Sequence, residues 1–570
     1  MVDNRRQQNQ STEPKPQPNT SQDDTVTLIP LGDIGSVTKN MFLYETKDEI
    51  LIVDCGVGFP DESLPGVDLM IPDVTYLKKT NKKIVGMVLT HGHEDHIGAV
   101  PFVLQQLPDF PVYGTALTAA FVEEKLRDFG IKRKVNTVQF DDKLSLGKFN
   151  VSFVRVTHSI LDASNLIIRT PVGIIYHGSD YKFDFTPVDG KQTEIHKISD
   201  VGKEGVLCLL SDCLGTYKRG HSLPEIDIEH KFEQEFRETK GKVFVSTYSS
   251  NISRLNQAID VALRQGRKIC FMGRSYLKSR DVGRQLGYMN FPPKEEVQPR
   301  QAAKMDPSKV MILVAGSQGQ VDSAMTRIAN NEDRDLSIQK GDTVIFSSDP
   351  IPGNEANVYS LIDTLSMRGA KVVHTDIDDD FHVSGHGAQN DIKLMIALTR
   401  PRFIMPIGGT YRHMIGMREL AGSMGYDDNS TIIPQEESQE IIFTKSGYRL
   451  GKKIKAEPVF VDQITKEEMG EYIVFDRLKI SKEGMMIILA EIEQETGQLA
   501  SRPDVILRGL SYSNVQNFTK KLEEQLRREI GRGRAEFNIR YYRKIIQRKA
   551  EDILSRERKE PLIIPVVLEV

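Results

Sequence analysis

The sequence predicts a multidomain α/β protein: two β-sheets covered by helices, an inserted unit of parallel strands, and a small α+β unit at the end. Three observations predict it. Between residues 25 and about 213, short apolar runs follow one another closely, a pattern more antiparallel than a doubly wound sheet would give. From 217 to 385 strand-like and helix-like stretches alternate, as in β-α units with parallel strands. From 457 to 570 hairpin-like strands, two charged helices and a final apolar strand form a third texture. A chain of 570 residues also exceeds what one hydrophobic core supports.

Residues 1–24 carry almost no apolar side chains, so burial cannot offset the entropy of ordering them, and a disordered tail is expected. TVTLIPLG, MFLYET and EILIVDCG read as consecutive strands, IVGMVLT (84–90) as a buried strand, and IGAVPFVLQQL (97–107) as a helix. FPVYG, NTVQF, FNVSFVRVTH, SNLIIRT, GIIYHGSD and VLCLLSDC continue the strands of a first domain spanning 25–216. The inserted domain, 217–385, begins with the helix EIDIEHKFEQEFRETK and alternates KVFVSTY, SRLNQAIDVALRQG, KICFMG, VMILVAG and DTVIFSS. RFIMPIG (402–408) and a following helix return to the first domain, over 386–456, before the terminal domain, 457–570.

Composition narrows the functional classes. No run of about 18 apolar residues is present, and the N-terminus lacks a signal-peptide core, so a cytoplasmic protein without a membrane span is expected. Cys55, Cys208, Cys213 and Cys270 have no CxxC spacing, which argues against a zinc ribbon or disulfide framework and for packing in a reducing compartment. A net charge of −4 leaves any nucleic-acid contact to local patches.

The strongest signal is Thr90-His91-Gly92-His93-Glu94-Asp95-His96, placed where an apolar strand gives way to a helix. Imidazoles and a carboxylate are the ligands that borderline divalent metals prefer. His91 and His93, two apart on extended chain, can point the same way, and Asp95 and His96 on the turn can face a second ion. Such a set is hard to explain as solvated surface or core. His158 and Asp180, at the ends of later strands, are candidates to complete it; alone, either is more often a satisfied polar residue. His177 reads as structural, and Asp54 as a carboxylate that orients a ligand loop.

This set, HxHxDH with a distant histidine and aspartate, resembles the metallo-β-lactamase superfamily. The resemblance implies two sheets sandwiched between helices with a dinuclear site along one edge. It further implies His91, His93 and His158 on one zinc, Asp95 and His96 on a second, and Asp180 between them, with manganese or magnesium as an alternative at the second position. Two ions about 3.5–4 Å apart draw the pKa of a shared water towards ~7.

The superfamily also hydrolyses lactams, thioesters and lactones, so the motif alone names no substrate. The insertion resembles the β-CASP domain of nucleic-acid-processing members. GRSY (273–276), AGSQGQ (315–320), SSDPIPGNE (347–355), HVSGHG (382–387) and HGSDYKFD (177–184) are similar to ribonuclease J stretches. That family implies hydrolysis of single-stranded RNA, 5′-to-3′ and endonucleolytically, with a 5′-monophosphate preferred. It implies roles in mRNA decay and rRNA maturation, a homodimer or homotetramer, and a place in an RNA degradation complex.

By this analogy Asp95, Asp212 and His386 are catalytic candidates; Asp212 could equally cap a turn. Ser384, Gly385, His386 and Gly387 form a glycine-rich turn whose N–H groups can approach phosphate, and a histidine there can protonate a departing 3′-oxygen. Ser249, Ser250 and Asn251 could contact RNA backbone or cap the next helix.

The chain departs from the family at Pro406-Ile407-Gly408-Gly409-Thr410, where a histidine-glycine pair would supply another ligand to the second metal. His413 could swing in, but reads more simply as a helix-face residue. In residues 513–560, fourteen Lys/Arg against eight Asp/Glu suit solvated helix faces, with Tyr541 and Tyr542 as candidate stacking residues for RNA. Two rivals stand beside the ribonuclease: a hydrolase of small esters, opposed by the insertion, and a weakly active or non-catalytic RNA-binding partner, favoured by Gly408.

Overall fold

In a computed structural model, the described residues are 25–570 except 33, 61–63, 352–353, 375–382, 463–464 and 531–537, so the expected N-terminal tail lies outside them. The described chain forms two compact units, residues 25–57 with 72–457, and residues 58–71 with 458–570.

The first unit holds three sheets. An eight-stranded sheet runs, in spatial order, Gly447–Lys453, Gln439–Thr444, Val26–Pro30, Phe42–Glu45, Glu49–Val53, Lys83–Val88, Val112–Gly114 and Asn136–Thr137. Its pairings are antiparallel as far as Glu49–Val53 and parallel beyond it. A six-stranded sheet runs Phe403–Ile407, Val206–Asp212, Gly173–Gly178, Ser164–Thr170, Phe149–Arg155 and Lys143–Leu146. Both sheets contribute to one core, with Leu28, Tyr44, Leu51 and Val53 from the first and Phe149, Phe153, Leu166 and Ile168 from the second. This is the expected two-sheet sandwich.

The third sheet is wholly parallel: Lys268–Met272, Val310–Val314, Val243–Ser246, Thr343–Phe346 and Lys371–Val373. Its side chains alternate between two cores, Val243 and Val245 with helices Asp227–Glu238 and Ile252–Arg264, and Phe244 and Val344 with Ala324–Asn330 and Glu355–Met367. A parallel sheet buried on both faces needs such apolar runs, which is why its sequence lacks polar alternation.

Three expectations change. IGAVPFVLQQL keeps one short helix, Val100–Leu104, with Ile97 ending a separate helical turn, Glu94–Ile97; between them the Ala99 N–H donates to the Cys55 carbonyl, and Pro101, which could not donate to residue 97, sits in the first turn of the new helix. The helix Ala116–Asp128 replaces an unassigned stretch, and NTVQF shortens to Asn136–Thr137. Residues 58–71 leave the first unit, because Leu69–Ile71 pairs antiparallel with Val459–Val461 in the second.

The second unit packs Val515–Ile530 and Ile539–Ser555 on a three-stranded sheet, Asp504–Arg508, Met485–Ile492 and Leu562–Glu569. Tyr542 is a core residue whose hydroxyl donates to the Gly497 carbonyl at 3.3 Å, so it does not serve as a stacking surface. Tyr541 packs edge-on against it, with ring centroids 5.5 Å apart.

Candidate metal centre and its surroundings

The site lies where strands of the sandwich end. After Glu49–Val53, Asp54 turns into the left-handed region, φ +60°, a strained conformation that aspartate tolerates better than most residues. There its Oδ1 accepts the Thr90 N–H at 2.7 Å, and Oδ2 accepts the Thr90 hydroxyl at 2.7 Å and His96 Nδ1–H at 2.7 Å. One carboxylate thus holds the start of the histidine motif and aims His96 Nε2 outward, as a ligand-orienting carboxylate should. Gly56 is needed beside it, since a Cβ there would lie 1.6 Å from the Asp95 carbonyl.

Three imidazole nitrogens converge. His93 Nδ1 lies 3.1 Å from His91 Nε2 and 3.1 Å from His158 Nε2. The other nitrogens are occupied: His158 Nδ1–H donates to the Gly385 carbonyl at 2.7 Å, and His91 Nδ1 meets the Thr90 hydroxyl at 3.0 Å. His158 Nε2, its proton held on Nδ1, therefore turns a lone pair towards the other two rings. Tetrahedral ligands about 2.0–2.1 Å from zinc stand roughly 3.3 Å apart, close to this spacing. Burial, reinforced by the neighbouring imidazoles, holds His91 well below its usual range, and burial lowers His158 to about 3, so both stay in the neutral, metal-binding form.

Asp180 Oδ2 is 3.6 Å from His91 Nε2, 3.6 Å from His158 Nε2 and 3.4 Å from His96 Nε2, so one oxygen faces both halves of the site. Asp95 Oδ2 lies 3.5 Å from His96 Nε2. Three overlapping donor clusters result, His91–His93–His158–Asp180, Asp95–His96–Asp180 and Asp180–Asp212–His386, with Asp180 common to all of them. Burial lifts Asp95 to about 6 in the metal-free site, against the opposing pull of His96.

Beside them His386 Nδ1 meets Asp212 Oδ2 at 2.7 Å, while Asp212 Oδ1 accepts the Leu214 N–H at 2.8 Å. Asp212 is thus both the acid near the cleft and the turn cap. Burial works against a charged His386, but Asp212 and Asp180 outweigh it and lift the ring to about 9. Gly385 lets this turn approach: a Cβ there would meet the His158 ring at 2.7 Å. Ser384 Oγ accepts the His386 N–H at 3.2 Å, and the Gly387 N–H donates to the Tyr181 carbonyl at 2.7 Å. The Gly387 N–H is therefore spent on the fold.

Of the other candidates, Asn251 caps Ile252–Arg264 by accepting the Arg254 N–H at 3.0 Å, which commits its side-chain oxygen. Ser249 and Ser250 are half-buried on the same loop, at the carboxyl end of a parallel strand. Neighbouring Tyr248 donates to the Asp349 carbonyl at 2.9 Å, joining this loop to the SSDP segment. His413 Nδ1 sits 2.9 Å from Thr410 Oγ1 in a capping box, so it belongs to the helix start. His177 packs edge-on to Phe42 and meets the Tyr44 hydroxyl at 2.8 Å, the structural place expected of it.

Sequence reading missed Asn40, whose Nδ2 lies 3.2 Å from His96 Nε2, and Asp391, which accepts from Ser222 N at 2.8 Å and Ala388 N at 2.9 Å and so braces the His386 turn. It also missed Arg254, wholly buried against Glu225 at 2.6 Å. No local pattern marks these residues, because their partners are distant in sequence.

Comparison with known proteins agrees with this architecture. Residues 35–190 match the metallo-beta-lactamase superfamily, 240–365 the ribonuclease J beta-CASP domain, and 472–570 the ribonuclease J C-terminal domain. The chain is 35% identical to ribonuclease J of Thermus thermophilus, covering 96% of each chain. It is 34% identical to ribonuclease J 1 of Streptococcus pyogenes, over 95% of this chain and 97% of that one. With ribonuclease J2 of Bacillus subtilis it shares 31%, over 96% and 99% respectively. A crystal structure from Enterococcus faecalis, of a protein described as of unknown function, shares the fold over 74% of this chain and all of its own, with a TM-score of 0.52 at 15% identity. The chain belongs to the ribonuclease J family of metallo-β-lactamase and β-CASP ribonucleases.

Proposed function

We propose that this chain hydrolyses RNA phosphodiester bonds as a zinc-dependent nuclease, trimming single-stranded RNA from a 5′-monophosphorylated end and also cutting internally. The observation that carries the reading is the convergence of the His91, His93 and His158 ring nitrogens, with His93 Nδ1 3.1 Å from each of the others, beside the Asp212–His386 pair. The donor chemistry suits zinc at His91, His93, His158 and Asp180, and zinc, manganese or magnesium at Asp95, His96 and Asp180. Divalent ions bound there would lower the pKa of water towards ~7 and offset charge on a scissile phosphate.

The chain's own residues do the rest. Asp54 and Thr90 hold the ligand loop still, so its donors need no reorganisation when charge develops. His386, aimed by Asp212 and drawn towards its charged form by that carboxylate, delivers a proton to the departing 3′-oxygen. Ser384 and the Gly385 backbone offer phosphate contacts on the same turn, and Ser249 and Ser250 offer RNA contacts on the β-CASP side. mRNA decay and rRNA maturation in the cytoplasm, as a homodimer or homotetramer within an RNA degradation complex, fit this activity. No described helix is long and apolar enough to cross a membrane.

The test is incubation of the purified protein with 5′-monophosphorylated single-stranded RNA and added zinc, manganese or magnesium, beside His93→Ala. Metal-dependent release of mononucleotides from the 5′ end, lost in the variant, is the expected result. RNA binding without cleavage under every metal would instead favour a non-catalytic partner.

A further inference from the structure

We propose that Gly408 makes the metal centre unequal, so that the chain holds one divalent ion firmly on His91, His93, His158 and Asp180 and a second only weakly on Asp95, His96 and Asp180. The inference rests on the metal-dependent reading above and concerns how the two positions fill.

The two donor sets differ on inspection. The first combines three imidazoles with a carboxylate, a full tetrahedral complement. The second has one imidazole, one carboxylate of its own, and a share of Asp180, whose Oδ2 already faces His91 and His158. The further donors beside it, Asp212 and His386, cluster with Asp180 but not with Asp95 and His96, and are tied to each other. Asp212 has both oxygens engaged, Oδ1 by the Leu214 N–H and Oδ2 by His386. His386 spends Nδ1 on that same bond. Asn40 presents its amide nitrogen, a donor of protons and no ligand, 3.2 Å from His96 Nε2. His413 is buried in the capping box with Thr410.

The remaining wall is Gly408, which follows the strand Phe403–Ile407. A Cβ built there would point to the carboxylates, 3.7 Å from Asp212 Oδ1 and 3.8 Å from Asp180 Oδ1, with nothing closer. Those are ordinary contacts, so a Cβ at 408 would displace nothing and would stand beside two carboxylates of the site. Its φ of +66° favours glycine, and histidine is among the residues enriched several-fold in that region over other side chains. The position therefore borders the site and supplies no ligand. Water or a substrate oxygen must complete the second ion's coordination, so its residence depends on what else occupies the cleft.

The test is titration of the metal-free full-length protein with Co2+, followed by calorimetry and by the visible absorption of bound cobalt, with no RNA present. One tight step and a second at least about tenfold weaker are expected, a minimum set by what loss of even an outer ligand partner costs. Gly408→His should tighten the second step at least tenfold and change its absorption, whereas Gly408→Ala, with the same backbone strain and no donor, should not. Should Gly408→His misfold, His96→Ala decides: it must abolish the weak step and spare the tight one. Two equally tight ions in the native chain, or a folded Gly408→His with an unchanged second step, would overturn the proposal. Unequal steps in a protein that leaves RNA intact would uphold this inference while refuting the nuclease; absence of any binding would refute both.

Discussion

Asp54→Asn isolates the role of one buried carboxylate in aiming a metal ligand. Asparagine keeps the shape and shares aspartate's tolerance of the left-handed region, so the φ of +60° at this position adds little cost. What changes is charge and donor pattern. Asp54 accepts from Thr90 N, Thr90 Oγ1 and His96 Nδ1, each at 2.7 Å, and an amide has one acceptor oxygen for three donors. Hydrogen bonds to a charged group contribute about 1.5–3 kcal/mol against about 0.5–1.5 for neutral ones, so the His96 bond alone weakens by about 1–2 kcal/mol. If the NH2 group faces His96, the ring loses its partner outright and can turn. The second metal position should then weaken about 10–100-fold, while the His91–His93–His158 position, tied to Asp54 only through Thr90, changes less. Calorimetric zinc titration of metal-free protein reads both steps. An unchanged second step in a variant that unfolds at the native urea concentration would refute the idea that Asp54 acts on His96.

Gly385→Ala should lower affinity at the first position about tenfold or more, since its Cβ meets the His158 ring at 2.7 Å and must displace that ligand; zinc titration with intact far-UV dichroism checks it. Arg254→Ala should destabilise the first unit by about 3–5 kcal/mol, because it strips Glu225 of a buried partner at 2.6 Å. Urea unfolding followed by tyrosine fluorescence, the chain having no tryptophan, would expose a midpoint shift too small for this account. His177, lowered to about 4 by burial, binds its proton later than it would unfolded, so its contribution is full above about pH 6.5 and is lost as pH falls towards 4. A Tyr44→Phe/His177→Phe pair should flatten the acid side of the stability profile by up to about 3 kcal/mol; an unchanged slope between pH 6.5 and 4 counts against it.

Local pattern carried much of this protein. The HxHxDH motif was legible because its ligands lie within six residues and its residue types have no packing use. The parallel strands were legible because burial on both faces forces unbroken apolar runs such as VMILV. Asp54 could be read as an orienting group from its place at a strand end. The start of a new helix just before Pro101 was also written in the chain, in a residue that suits only a helix's first turn, though the apolar spacing hid it.

What only the tertiary structure decided depends on contacts remote in sequence. Asp180 becomes the shared ligand because the two sheets bring its Oδ2 within 3.6 Å of His91 and His158 and 3.4 Å of His96. Asp212 pairs with His386 across 174 positions, and residues 58–71 join the terminal unit through a strand pairing that no local propensity encodes. Gly408 is a lone glycine on paper. Only the built direction of its missing Cβ, towards two carboxylates, makes it part of the site, because a ligand position is defined by where a bond vector points and the sequence does not record that direction.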